Sequence, residues 1–217
     1  MSRPVIVIVG AGPGVSGSVA RRFARDGYDM GLVGTDEEQL GDLTVDLEAL
    51  GARVSHVVAD ITDDDAARAA VAELGGRLDR IDVLHFNPSA FRQKDPLSLT
   101  VPELLADVTL GVGALLSALQ AARPFMSEGA RVTATGSMAA DQPWHEAASL
   151  GVQKAGLRNL VHSIDAALEG EGIRAVSVTV RGTLSDEGAF TPDRVAEAIH
   201  AAAHQEGEWR AEVPYAG

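Results

Sequence analysis

The stretch Val5-Ile6-Val7-Ile8-Val9-Gly10-Ala11-Gly12-Pro13-Gly14-Val15-Ser16-Gly17 decides how this chain is read. Five consecutive β-branched residues form the run expected of a strand buried on both faces. The glycines that follow let the backbone turn tightly and let a pyrophosphate approach the amides that open the next helix. That helix is expected over Val15 to Asp26, with Val19, Phe23 and Ala24 at helical spacing. Two glycine registers coexist. Gly12, Gly14 and Gly17 give G-x-G-x-x-G, two residues late relative to the strand end. Counting instead from Gly10 gives G-x-x-x-G-x-G, with Gly14 matching and Ser16 in the third glycine position. A flexible turn without a ligand is the alternative reading of the glycines alone.

Working outward, strand and helix patterns alternate. A short apolar stretch lies around Tyr28 to Val33, and a helix runs from Asp36 to Leu50, with Leu40, Leu43, Leu47 and Leu50 on one face and Gly51 placed to end it. Then come a strand at Arg53 to Val58, a helix at Thr62 to Leu74 with Thr62 as N-cap, and a strand at Ile81 to Phe86. One or two helices occupy Val101 to Met126. They are followed by a strand at Ala130 to Thr135, a helix from Trp144 to Leu168, a strand at Ile173 to Val180 and a last helix at Pro192 to His204. Six βα-type units with short connections predict an α/β fold: a three-layer, doubly wound parallel sheet of the Rossmann type. Nothing divides residues 1–217, so one domain is expected.

Composition sets limits. Of the 217 residues 46 % are hydrophobic, enough for a full core, and cysteine is absent, which excludes disulfides, thiol nucleophiles and cysteine-held zinc. No metal site is expected. The net charge of -13 argues against nucleic acid and anionic membranes as partners. No run reaches the roughly 18 consecutive apolar residues of a membrane-spanning helix, and the apolar run after Met1-Ser2-Arg3-Pro4 is too short for a signal peptide. A soluble, cytoplasmic protein is expected.

The order and spacing of several motifs resemble the short-chain dehydrogenase/reductase family over almost the whole chain. The Gly10 register resembles that family's phosphate loop, which includes Gly12, Pro13 and Val15. Asp60-Ile61 resembles its adenine-contacting aspartate-aliphatic pair. Residues 82–89, Asp-Val-Leu-His-Phe-Asn-Pro-Ser, stand where the family has D-x-L-x-N-N-A-G, with Asn87 kept and Pro88 beside it. Gly182 and Leu184 follow the strand at Ile173 to Val180. The resemblance implies NAD or NADP as cofactor, a small-molecule substrate, and a homodimer or homotetramer formed through the helices at Val101 to Met126 and Trp144 to Leu168. Gly34 stands where an NAD-selective aspartate would be and Thr35 where an NADP-selective arginine would be, so the choice between the two stays open. Asp36 reads better as a helix cap than as a ribose ligand.

The resemblance also implies catalytic roles for Ser137 and for Lys154, seventeen residues later. The family's tyrosine, four residues before the lysine, is Leu150 here, and the only tyrosines are Tyr28 and Tyr215. No asparagine occurs between Val101 and Met126, and only six residues separate Leu184 from Thr191, where the family carries a helical lid. His145 is the candidate replacement acid, because imidazole titrates in the useful range; a solvated helix-start residue is its other reading.

Overall fold

A computed structural model describes residues 3–217; Met1 and Ser2 lie outside the described residues. Val5–Val9 forms β1, and α1 spans Val15–Arg25. The chain continues through β2 (Asp29–Gly34), α2 (Glu37–Ala49), β3 (Val54–Val58), α3 (Asp64–Leu78) and β4 (Val83–Phe86). Its second half comprises α4 (Val101–Val108), α5 (Ala114–Ala122), β5 (Arg131–Ser137), α6 (Ala148–Leu168), β6 (Arg174–Val180), α7 (Pro192–Ala203) and β7 (Glu212–Tyr215). Among the described residues seven strands join one sheet in the order β3-β2-β1-β4-β5-β6-β7, with every pairing parallel. Alternate side chains of each central strand therefore enter two cores. Val5, Val7 and Val9 pack with α3, α5 and α6, whereas Ile6 and Ile8 pack with α1, α2 and α7. The expected three-layer, doubly wound Rossmann-type fold is what the chain adopts.

Three elements depart from the sequence reading. A seventh strand, β7, was not anticipated: four residues including Pro214 carry little strand signal, and pairing with β6 at the sheet edge supplies what local propensity lacks. The cap of α3 is Asp63, whose carboxylate accepts from Ala66 N at 3.0 Å, rather than Thr62. Regular helix in α6 begins at Ala148, after a single 3-10 turn at His145–Ala147, so Trp144 and His145 precede it. The helical run over Val101–Phe125 has the length and apolar content of a membrane span. Here Leu115, Ala118, Leu119 and Ala122 of that run are buried in the core shared with α3 and α6. A π-helical turn at Thr109–Gly113 interrupts it between α4 and α5.

Candidate active site

The strand order reverses between β1 and β4, and ligands of doubly wound sheets bind beyond the carboxyl ends of strands at such a point. The glycine turn lies there. Gly10 has φ +81°, a conformation costly to residues with a Cβ, and a Cβ there would lie 2.7 Å from Pro88 Cγ. Gly10 and Ala11 both donate to Val33 O, at 2.9 and 2.8 Å, fixing the turn against β2. A Cβ on Gly17 would lie 2.7 Å from Gly12 O, so both registers found in the sequence carry a geometric constraint. Ser16, in the third glycine position, is buried with its hydroxyl directed at Gly12 O.

The N-terminus of α1, like those of α5 and α6, carries no side-chain cap. α2, α3, α4 and α7 are capped by the side chains of Asp36, Asp63, Thr100 and Thr191. α1 begins at Gly14 with no side-chain cap and no acidic residue in its first turn, and no atom stands within 4 Å of where a Gly14 Cβ would be. Its first N–H groups and the positive end of its dipole are thus presented to an anion. Pro13, at the tip of the turn, is exposed, and Val15 is buried behind it.

Beside this turn lies a cavity of about 430 Å³ lined by Val15, Asn87, Pro88, Ser89, Thr135, Gly136, Ser137, Leu150, Lys154, Val180, Gly182 and Leu184. Lys154, projecting from α6, is almost fully buried and donates from Nζ to Thr135 O at 2.9 Å. Burial disfavours the ammonium and brings the Lys154 pKa down from 10.5 to about 8. Ser137 ends β5, where its Oγ accepts from Ala139 N at 3.2 Å. Leu150 lies one helical turn before Lys154 and faces the same cavity.

The ends of β2 and β3 are built differently. Gly34 is buried, and a Cβ on it would lie 2.7 Å from Ala11 O, so no side chain fits at that position. Thr35 is exposed, and Asp36 accepts from Gln39 N at 3.1 Å as the cap of α2. Asp60 is exposed and accepts from Thr62 N and Oγ1 at 2.9 and 2.7 Å, bonds that hold its carboxyl below the usual range. Ile61 is buried under α3.

Comparison with known proteins agrees with this geometry. The family model described as short chain dehydrogenase matches residues 4–192. The chain belongs to this family. Among curated relatives, a reductase of Mycobacterium tuberculosis, (5R,7aS)-5-hydroxy-7a-methyl-1-oxo-2,3,5,6,7,7a-hexahydro-1H-indene-carboxyl-CoA reductase, is 29 % identical over 182 residues, covering 81 % of this chain and 70 % of the relative. Sulfoacetaldehyde reductase 2 of Chromohalobacter salexigens is 26 % identical over 178 residues, covering 80 % and 70 %. A short chain dehydrogenase from Burkholderia cenocepacia, solved in complex with NADP, superposes with a TM-score of 0.85 at 26 % identity, over 93 % of this chain and 90 % of that one. As a short-chain dehydrogenase the chain is of an oxidoreductase family that binds NAD(P). The group fits what the structure offers: an uncapped α1 N-terminus for its pyrophosphate and a buried lysine in the adjoining cavity.

Several sequence-predicted residues of this short-chain dehydrogenase come together in that cavity: Val15, Asn87, Pro88, Ser137, Lys154, Gly182 and Leu184. His145 does not join them. It lines a second cavity, of about 680 Å³, together with Ala148, Gly151, Val152 and Ala155 of α6. At roughly 100° per residue, those four positions lie about 100–200° around the helix from Leu150. Neither tyrosine enters the first cavity: Tyr28 OH meets His204 Nε2 at 3.0 Å, and Tyr215 OH donates to Ala189 O at 2.5 Å. The short segment after β6 folds back on the tail. The Phe190 ring sits 2.3 Å from where a Gly182 Cβ would be and meets Tyr215 edge-on at 5.7 Å.

His85 was not singled out from the sequence. It is fully buried in β4, shares a hydrogen bond with Thr133 Oγ1 at 2.9 Å through Nδ1, and leaves Nε2 without a partner among the described residues. Burial, aided by the Lys154 charge, drives its pKa down to about 3, so it is neutral at physiological pH. A histidine inside an apolar strand is the one signal that marks it.

Proposed function

We propose that residues 1–217 form a single NAD(P)-binding domain that interconverts a carbonyl and an alcohol on a small-molecule substrate without a tyrosine acid. The observation that carries this reading is the convergence of Ser137, Lys154 and Leu150 on one cavity that Val15, at the start of α1, also lines. Both relatives described above are named as reductases, which supports carbonyl chemistry. When bound, the nicotinamide supplies or accepts hydride. Lys154 would bind the adjoining ribose hydroxyls. Ser137 Oγ, already accepting from Ala139 N, has its own proton to donate to a substrate oxygen. Leu150 has no proton to exchange, so the proton that completes reduction comes from water, admitted where Leu184 is half exposed and the segment after β6 is short. His145 lines the other cavity and has no part in this scheme.

Titration of NADH and NADPH fluorescence, followed by turnover across a panel of aldehydes and ketones, tests the reading. Saturable quenching or enhancement with measurable oxidation is expected; no saturable change with either cofactor overturns it. Leu150 favours a second reading, a nucleotide-binding homologue without turnover, which saturable binding with no oxidation of any carbonyl would select. Assembly as a homodimer or homotetramer through α4, α5 and α6 is part of the proposal. It is supported by the exposed Val101, Leu105, Leu116 and Val152 on those helices, and light scattering at micromolar concentration tests it.

A further inference from the structure

The segment that leaves β4, residues 87–95, borders the cavity without belonging to any regular element, yet it is tied down along its length. Pro88 fills the space left by the missing Cβ of Gly10. Arg92 forms a two-pronged ion pair with the buried Asp107 of α4, at 2.8 and 3.0 Å. Lys94 pairs with Glu103 at 2.6 Å and accepts from Ala148 N at 3.1 Å through its carbonyl. The central tie is Gln153, fully buried on α6 and adjacent in sequence to Lys154. Its Oε1 accepts from Ala90 N at 3.0 Å, and its Nε2 donates to Ala90 O at 3.1 Å and to Ser149 O at 3.3 Å. The side-chain amide thus pairs with both backbone groups of Ala90 as a neighbouring strand would.

Room for this amide comes from the π-helical turn. A Cβ on Gly111, inside that turn, would lie 2.4 Å from Gln153 Oε1. We infer that Gln153, seated against Gly111, is a positioning residue that holds Asn87-Pro88-Ser89-Ala90 as a fixed wall of the nicotinamide half of the cofactor site. The inference rests on the proposed function above, since it supposes that the cavity receives the nicotinamide. One rigid connection then runs from the glycine turn through Pro88 and Ala90 to the helix that carries Lys154. The segment after β6 contributes Gly182 and Leu184 to the lining of the same cavity.

The test compares wild type with Gln153→Met, which fills similar volume without the amide, and with Gly111→Ala, which displaces the amide by contact. Dissociation constants are measured for NADH or NADPH and, separately, for ADP-ribose, which lacks the nicotinamide. Melting temperature and exchange of the Ala90 amide are followed in parallel. Both variants are expected to weaken the whole dinucleotide about tenfold, with ADP-ribose affinity unchanged and the Ala90 amide exchanging faster. Equal binding of the reduced cofactor by wild type and Gln153→Met overturns the inference alone. Equal weakening of both ligands with a lowered melting temperature also overturns it, because it shows a general structural role. A wild type that binds neither ligand overturns the functional reading with it.

Discussion

At the β1–α1 turn the cleft is made of backbone, whereas at the β5–α6 side it is made of side chains, and the two halves differ accordingly. Gly10 is held by its positive φ, its bonds to β2 and the ring of Pro88, and Gly17 by its approach to Gly12 O. Altering those residues disturbs the fold itself, so the anion-binding end and the scaffold are one object. Leu150, by contrast, fills a cavity wall with apolar surface that suits a helix facing a strand end, and its side chain has no polar atom. A proton donor can be absent there without cost to the sheet. Lys154 is the exception on that side: its burial opposes its charge, yet it sits at the heart of the cavity.

The sharpest way to break this comparison is to restore a donor. Leu150→Tyr places a phenol one helical turn from the Lys154 ammonium, which favours the phenolate. If the rest of the side-chain half is competent, carbonyl reduction should rise about 10²–10⁴-fold, the usual worth of a positioned acid. Unchanged turnover across a ketone panel would mean that more than the acid is missing. The converse experiment attacks the backbone half. Gly10→Val sets a branched side chain against Pro88 in a left-handed conformation, and NAD(P)H affinity should fall by up to about a hundredfold, the equivalent of about 1–3 kcal/mol of backbone strain. Fluorescence titration measures it, and preserved affinity would detach the turn from cofactor binding.

The backbone half was also the more readable in sequence. Five β-branched residues, a glycine cluster and an amphipathic helix are local signals, and a doubly wound parallel sheet follows once the βα alternation is seen. The leucine at position 150 and the short segment after Leu184 were equally plain, because an absence of residue types needs no structure to be read. What escaped reading depends on tertiary partners. β7 exists through its pairing with β6 and through Trp209 Nε1 donating to Ala175 O, neither of which four residues around Pro214 announce. Thr62 and Asp63 are both cap-type residues, and Thr62 is drawn off to bond Asp60. Gln153 has no motif value, since its role is set by Ala90, sixty-three residues away. His145 read as near Lys154 because they are close in sequence, whereas the turn that precedes α6 places His145 on the other cavity.

Lys154 gives a comparison in stability rather than activity. Its folded pKa of about 8 lies below the ordinary 10.5, so between those values the unfolded chain binds more protons than the folded one. Stability therefore rises as pH increases from 8 to 10.5, and the burial penalty is present in full below pH 8. Lys154→Met removes the titrating group. Relative to this variant, wild type should gain about 1–3 kcal/mol across that interval in denaturant unfolding, while the variant loses cofactor affinity at every pH. Parallel stability curves for the two proteins would show that the lysine is solvated in solution.

The smallest effect is expected at the adenosine end, where backbone and side-chain control meet. Gly34 admits no side chain and Asp36 is engaged in capping α2, which leaves the exposed Thr35 as the position from which selectivity between cofactors can be changed. Thr35→Arg brings a planar cation to the end of β2, where the 2′-phosphate of NADP lies in folds of this kind. NADPH affinity should rise about tenfold relative to NADH, the value of one charge-assisted contact partly offset by the acidic run Asp36-Glu37-Glu38. The two affinities are read by the same fluorescence titration used for Gly10→Val. An unchanged ratio would place the adenosine away from β2, so that the backbone-made turn would no longer account for how the whole dinucleotide is held.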